Sequence, residues 1–167
     1  VDGHCHLDQP TTDGSVAADD FVSGTRSAAA GGTTTVIPFA LQIRGHSLHE
    51  AIEDYHQRAT GKALIDYAFH LIVTDPTAQV CGQELPALIQ DGYSSFKIYM
   101  TYDDMKLDDR QILDVLSVAR RHQGMVMIHA ENSDCIGWLT DRLEEAGKIE
   151  PRYHATSRPR PVEREAT

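Results

Sequence analysis

The chain has 167 residues, of which 41% are hydrophobic and 24% charged, and this is enough apolar mass for one domain with its own core. Its 15 Lys and Arg against 25 Asp and Glu give a net charge of −10, which argues against nucleic acid as a partner because an acidic surface repels phosphate. No apolar run approaches the roughly 20 residues of a membrane helix, so no membrane contact is expected. Three separated cysteines without a CxxC motif indicate a reducing, cytoplasmic location.

Apolar runs of strand length alternate with amphipathic stretches of helix length along the chain. The five predicted strands are Val1–Leu7, Thr33–Ala40, Tyr67–Thr74, Ser95–Thr101 and Met125–Ala130. Helices are predicted to open at Asp19–Phe21, at Ser47 with a capping box to Glu50, near Ala78, at Asp108 and at Cys135. The tail carries Pro151, Pro159 and Pro161 and is predicted to be a loop that leads to a helix opening at Glu165.

This alternation predicts an α/β fold with right-handed crossovers and a parallel sheet. The glycine motifs of nucleotide-binding folds, GxGxxG and GxxxxGK[ST], are absent from the sequence. A partial TIM-like (β/α)8 barrel of about five βα units is therefore favoured over a doubly wound sheet. Five units are too few to close a barrel, and the chain starts without Met, so residues 1–167 are expected to be one barrel domain truncated at both ends.

Three predicted strands carry side chains that can bind a metal ion at or near their ends. His4 and His6 lie two residues apart and so point to the same face of the first strand, although a bare HxH pair is as compatible with ordinary strand histidines. Lys97 lies among apolar neighbours, where burial favours the neutral amine that reacts with CO2 to form a carbamate. His129 ends the fifth strand. Active sites of parallel α/β folds gather at such strand ends.

The ordered set of motifs resembles the dihydropyrimidinase/D-hydantoinase family of cyclic amidohydrolases. The resemblance is carried by DGHCHLDQP from Asp2, ADDF from Ala18, AGGTT from Ala30, SFK from Ser95 with Tyr102, HAEN from His129 and SRP from Ser157. It implies a hydrolase that opens cyclic amides with two Zn2+ ions. His4 and His6 would bind one ion, N6-carboxylated Lys97 would bridge both, His129 would bind the second, and Tyr102 would contact the substrate carbonyl.

The resemblance also implies groups that this chain does not contain. The family uses a histidine on strand six and an aspartate on strand eight as general base, and His154 comes too early to be the former. The chain alone is therefore expected to be inactive, and the parent enzyme, a homotetramer of pyrimidine catabolism, to be the active form. Asp8 stands where dihydroorotases carry an arginine for a substrate carboxylate, so a neutral cyclic ureide or imide is the expected substrate.

Two alternatives stay open, an allantoinase-like ureide hydrolase and a non-catalytic scaffold related to dihydropyrimidinases. Other residues are given structural interpretations. His70 is expected in the core, and Cys5 is expected to face away from its two neighbours. Trp138 is expected to be an apolar anchor, and the arginines of the tail are expected to contact another domain or subunit.

Overall fold

The computed structural model describes residues 1–10, 15 and 17–167. The strands in these ranges are β1 (Asp2–Cys5), β2 (Thr35–Leu41), β3 (Asp66–Tyr67), β4 (His70–Ile72), β5 (Ser95–Tyr99) and β6 (Met125–His129). The α-helices are α1 (Phe21–Ala30), α2 (Leu48–Ala59), α3 (Leu85–Gln90), α4 (Asp109–His122), α5 (Ser133–Glu145), α6 (His154–Ser157) and α7 (Arg160–Ala166). A π-helical turn, Val80–Glu84, precedes α3, and a 3-10 turn, Pro151–Tyr153, precedes α6.

The strands form one parallel sheet in the order β1-β2-β4-β5-β6, with β3 paired to β2. The sheet is curled into a half-barrel, which confirms the predicted partial (β/α) barrel. No helix in the described ranges is long and apolar enough to cross a membrane.

The two faces of the sheet carry different clusters. Alternate residues such as Ala40, Leu71 and Phe96 face the helices and belong to the main core. The residues between them face the concave side, where Phe39, Ile72 and Tyr99 form a second buried cluster. Because Lys97 pairs with Ile72 and Met127 in the sheet, it faces the concave side as well.

The predicted third strand is interrupted, and β2 supplies the reason. Tyr67 pairs with Val36 and His70 with Phe39, so the break lies opposite Ile37 and Pro38. Proline has no N–H to donate to a neighbouring strand. The segment therefore forms the two short strands β3 and β4.

The capping prediction at Ser47 is half right. Its hydroxyl accepts a hydrogen bond from Glu50 N at 3.1 Å, as an N-cap should. The reciprocal bond is missing because the Glu50 carboxylate bonds His46 Nδ1 instead, at 2.7 Å. Full capping boxes occur at the start of α1, with Asp20 and Ser23, and at the start of α4, with Asp108 and Gln111.

Two expectations about the C-terminal part were wrong. The predicted proline-containing loop is largely helical, because Pro151 and Pro161 stand in the first turns of their helices, where the missing N–H costs nothing. Trp138 is not an anchor, since 62% of its surface is exposed. Only Ile136 of α5 is buried, and the Trp138 ring lies 5.8 Å from the Arg142 guanidinium.

Candidate metal centre

His4 and His6 lie together at the carboxyl end of β1, over the ring of Phe39. The two imidazole centroids are 5.7 Å apart, and they lie 4.6 Å and 5.0 Å from the Phe39 centroid. His6 Nδ1 also contacts Gln9 Oε1. Cys5 faces the opposite side and packs on the main core, where burial raises the pKa of its thiol to about 11. The interpretation of Cys5 as a packing residue is confirmed.

His70 connects the strand of the two histidines to the strand of Lys97. It is buried as predicted, but its ring also forms two hydrogen bonds, with Gly3 O at 2.9 Å and Ser95 Oγ at 2.5 Å. Because a carbonyl can only accept, Nε2 carries the proton and Nδ1 accepts from the Ser95 hydroxyl. Sequence reasoning missed these bonds, since Gly3 lies 67 positions from His70.

We predict that His70→Phe costs about 2 kcal/mol of unfolding free energy, because two polar groups lose their partner. The shift in the urea concentration at the midpoint of unfolding, in the zinc-free protein, measures this loss of free energy. The matched control is His56→Phe, which removes one half-buried bond, from His56 Nε2 to Tyr93 Oη at 2.7 Å, and should cost about 1 kcal/mol. Equal shifts for the two variants would contradict the connecting role of His70.

Lys97 is buried without a counter-charge. The residue is 8% exposed, and within the described residues its Nζ forms neither a hydrogen bond nor an ion pair. Its Nζ lies over the ring of Tyr99, 5.2 Å from the ring centroid. Burial lowers the pKa of Lys97. Burial and the neighbouring charges of His6 and Lys97 lower the pKa of His4.

His129 and Tyr102 also lie next to Tyr99. The centroids of His129 and Tyr99 are 5.7 Å apart, and that of Tyr102 lies 5.3 Å from His129. His129 Nε2 bonds Glu131 Oε2 at 2.7 Å, and Glu131 in turn lies 3.8 Å from Arg158 Nε. Tyr99 therefore touches both Lys97 and His129 and joins the two halves of the candidate site.

Within the described ranges, no group of three or more His, Cys, Asp or Glu side chains is arranged to hold a metal ion. The donors present nevertheless fit a metal centre in one specific way. Two adjacent imidazoles pack on Phe39 of the concave side, and the same side carries the buried Lys97 amine, which has no partner in the described residues. Carboxylation of that amine would convert it into an oxygen ligand. A buried unpaired ammonium is unfavourable, so a structural role does not explain Lys97.

Asp8 is paired, which weakens the electrostatic interpretation made from the sequence. Arg58 Nη1 donates to Asp8 O at 3.0 Å and lies 3.3 Å from Asp8 Oδ1, while Arg58 Nε bonds Asp54 Oδ2 at 2.7 Å. Arg58 is shared between Asp8 and Asp54, so it balances part of the charge of Asp8. Position 8 still supplies no free cation that could bind a substrate carboxylate.

Comparison with family models returned no match, but individual proteins match along the chain. D-hydantoinase of Geobacillus stearothermophilus is 47% identical over 169 residues, covering 100% of this chain and 36% of that protein. Dihydropyrimidinase of Rattus norvegicus is 38% identical over 169 residues, covering 100% of this chain and 32% of that protein. A solved D-hydantoinase structure superposes with a TM-score of 0.95 at 43% identity, covering 99% of this chain and 36% of the other.

The curled parallel sheet, with histidines and a buried lysine toward its carboxyl edge, is part of a (β/α) barrel. The chain belongs to the D-hydantoinase and dihydropyrimidinase family. It spans about a third of the length of the relatives that it matches.

Proposed function

We propose that the protein hydrolyses the ring amide bond of neutral cyclic ureides and imides, the hydantoins and dihydropyrimidines, at a binuclear zinc site. The observation that carries this proposal is Lys97, a buried amine without a partner in the described residues, on the concave side of the sheet where His4 and His6 also lie. His4, His6, His129 and N6-carboxylated Lys97 would hold the ions. Zinc in such a site lowers the pKa of a water molecule and polarises a carbonyl.

The residues of the chain orient the substrate and stabilise its charge. The ring of Phe39 packs against the imidazoles of His4 and His6, and the ring of Tyr99 lies next to Lys97 and His129, so two aromatic rings support the four candidate ligands. Tyr102 is 41% exposed, and its ring centroid lies 5.8 Å from that of Tyr99. Its hydroxyl would donate a hydrogen bond to the ring carbonyl oxygen as negative charge develops there.

Lys97 also favours an enzyme over a non-catalytic scaffold. In a non-catalytic scaffold a buried, unpaired amine would only destabilise the fold, and an apolar residue of similar volume would make the protein more stable. Three free cysteines in the described residues are in keeping with the proposed cytoplasmic location. A homotetrameric assembly and a place in pyrimidine catabolism are proposed from the family membership alone.

The test is ring opening by the complete gene product, expressed at full length and supplied with zinc and bicarbonate. Hydantoin and dihydrouracil should be opened. Dihydroorotate should be opened at least about tenfold more slowly, because position 8 offers its carboxylate no cation and one lost charged hydrogen bond costs about 1.5 kcal/mol or more. Faster opening of allantoin than of hydantoin would support the allantoinase alternative. No turnover of any ring, with zinc bound, would contradict the proposal.

We further predict that the 167-residue chain alone, with zinc and bicarbonate, opens neither ring and associates in solution. In the described residues β1 and β6 each pair on one side only, and unpaired strand edges recruit other chains. The concave cluster around Tyr99 would also lack the facing half of a barrel. Size-exclusion chromatography and a turnover assay check both points. A monomer as active as the full-length protein would contradict the prediction.

A further inference from the structure

The loop that carries Tyr102 is connected to a second loop by one arginine. Arg44 lies in the segment after β2, and its guanidinium donates two hydrogen bonds to main-chain carbonyls after β5. Nε bonds Asp104 O at 3.0 Å, and Nη2 bonds Lys106 O at 2.9 Å. The rigid, planar fork of arginine suits two acceptors of fixed separation, whereas a lysine ammonium can satisfy them only one at a time.

The Tyr102 loop has a backbone conformation that needs such support. Tyr102 has φ 71°, a value that residues other than glycine rarely adopt. Its carbonyl accepts from Met105 N and Lys106 N, at 2.9 Å and 2.8 Å, and Leu107 N bonds Tyr99 O at 2.9 Å. The turn thus orients the Tyr102 side chain, and the two carbonyls that Arg44 binds belong to the same turn.

Arg44 projects from a segment that is itself anchored. Gln42 is 1% exposed, and its Oε1 accepts from Thr74 N at 3.0 Å and Asp75 N at 3.1 Å. Gly45 N bonds Asp75 Oδ2 at 3.0 Å. Hydrogen bonds therefore hold the segment that contains Gln42 and Arg44 to the residues after β4, and Arg44 connects this segment to the loop of Tyr102.

We propose that Arg44 is a positioning residue for ring opening, which sets where the Tyr102 hydroxyl meets the substrate carbonyl. This inference rests on the proposed function. Arg44 is exposed and forms no ion pair in the described part of the chain, so its removal affects the placement of the loop more than the stability of the fold. Small displacements of a group that contacts the transition state lower kcat strongly.

The test is a double-mutant cycle in the zinc-loaded, full-length protein with hydantoin as substrate. Arg44→Ala should lower kcat about tenfold, with KM changed less than about twofold, and Arg44→Lys should recover part of the loss. In a Tyr102→Phe background, Arg44→Ala should change kcat less than about twofold, because the hydroxyl that it positions is gone. Arg121→Ala is the control, since Arg121 is exposed and its one hydrogen bond within the described residues is to Ser117 O of its own helix, at 3.3 Å.

The outcomes separate the two proposals. If the unsubstituted, zinc-loaded protein opens no ring, the proposed function fails. If that protein is active, but Arg44→Ala lowers kcat by the same factor with Tyr102 intact and in the Tyr102→Phe background, Arg44 does not act through the hydroxyl and the inference is overturned. A loss that appears only in KM, or an unchanged kcat, overturns it as well.

Discussion

Substitution of Lys97 by Ala should remove zinc and activity together in the full-length protein. An outer-shell partner of a metal ligand already accounts for about 10- to 100-fold in metal affinity or activity, so loss of a bridging ligand should lower kcat/KM more than about 100-fold. Metal analysis and turnover of hydantoin measure the two effects. Lys62→Ala is the matched control, because Lys62 is exposed, between α2 and β3, and should change neither.

Two further experiments at position 97 test the same role: chemical rescue of the Lys97→Ala variant, and the stability of a Lys97→Met variant. A short carboxylic acid added to Lys97→Ala should restore part of the activity, because it supplies the carboxylate that the carbamate would have provided. Lys97→Met keeps the aliphatic stem and removes the buried unpaired charge. The zinc-free Lys97→Met protein should therefore be at least as stable as the zinc-free parent in urea. Full zinc content and activity in Lys97→Ala would exclude a bridging role.

Substitution of Tyr102 by Phe should lower kcat about 100-fold while zinc content stays the same. Loss of one donor to a developing oxyanion lowers kcat by about 10²- to 10³-fold, and Phe keeps the ring that lies 5.3 Å from His129. Steady-state assays with hydantoin and metal analysis measure the two quantities. The control Tyr153→Phe removes a phenol in the C-terminal segment, next to Lys148 and Arg152, and should leave kcat unchanged. An unaltered kcat in Tyr102→Phe would show that the tyrosine is not the donor.

The sequence alone was sufficient for the parts of the molecule that depend on local pattern. The strand period of two places His4 and His6 on one face and Cys5 on the other, and the structure has them so. The apolar run around Lys97 predicted a buried strand, and Lys97 is 8% exposed. The starts of α1, α2 and α4 follow from Asp20, Ser47 and Asp108, which cap them, because capping involves residues only two or three positions away.

Local sequence patterns gave wrong predictions where a strand break, or the buried side of a helix, depends on a neighbouring element. The interruption between β3 and β4 is set by Pro38 on the neighbouring strand. Trp138 looked like an anchor from its residue type, but only the packing of α5 decides which side of that helix is covered.

Only the tertiary structure decided how the strand ends are connected. Asp8 is paired with Arg58, 50 positions away, and His70 joins Gly3 to Ser95. Arg44 reaches the Tyr102 loop across about 60 positions. Hydrophobic periodicity and capping residues report on neighbours along the chain. These bonds instead join residues of different strands, helices and loops that only the folded chain brings together, so no local pattern encodes them.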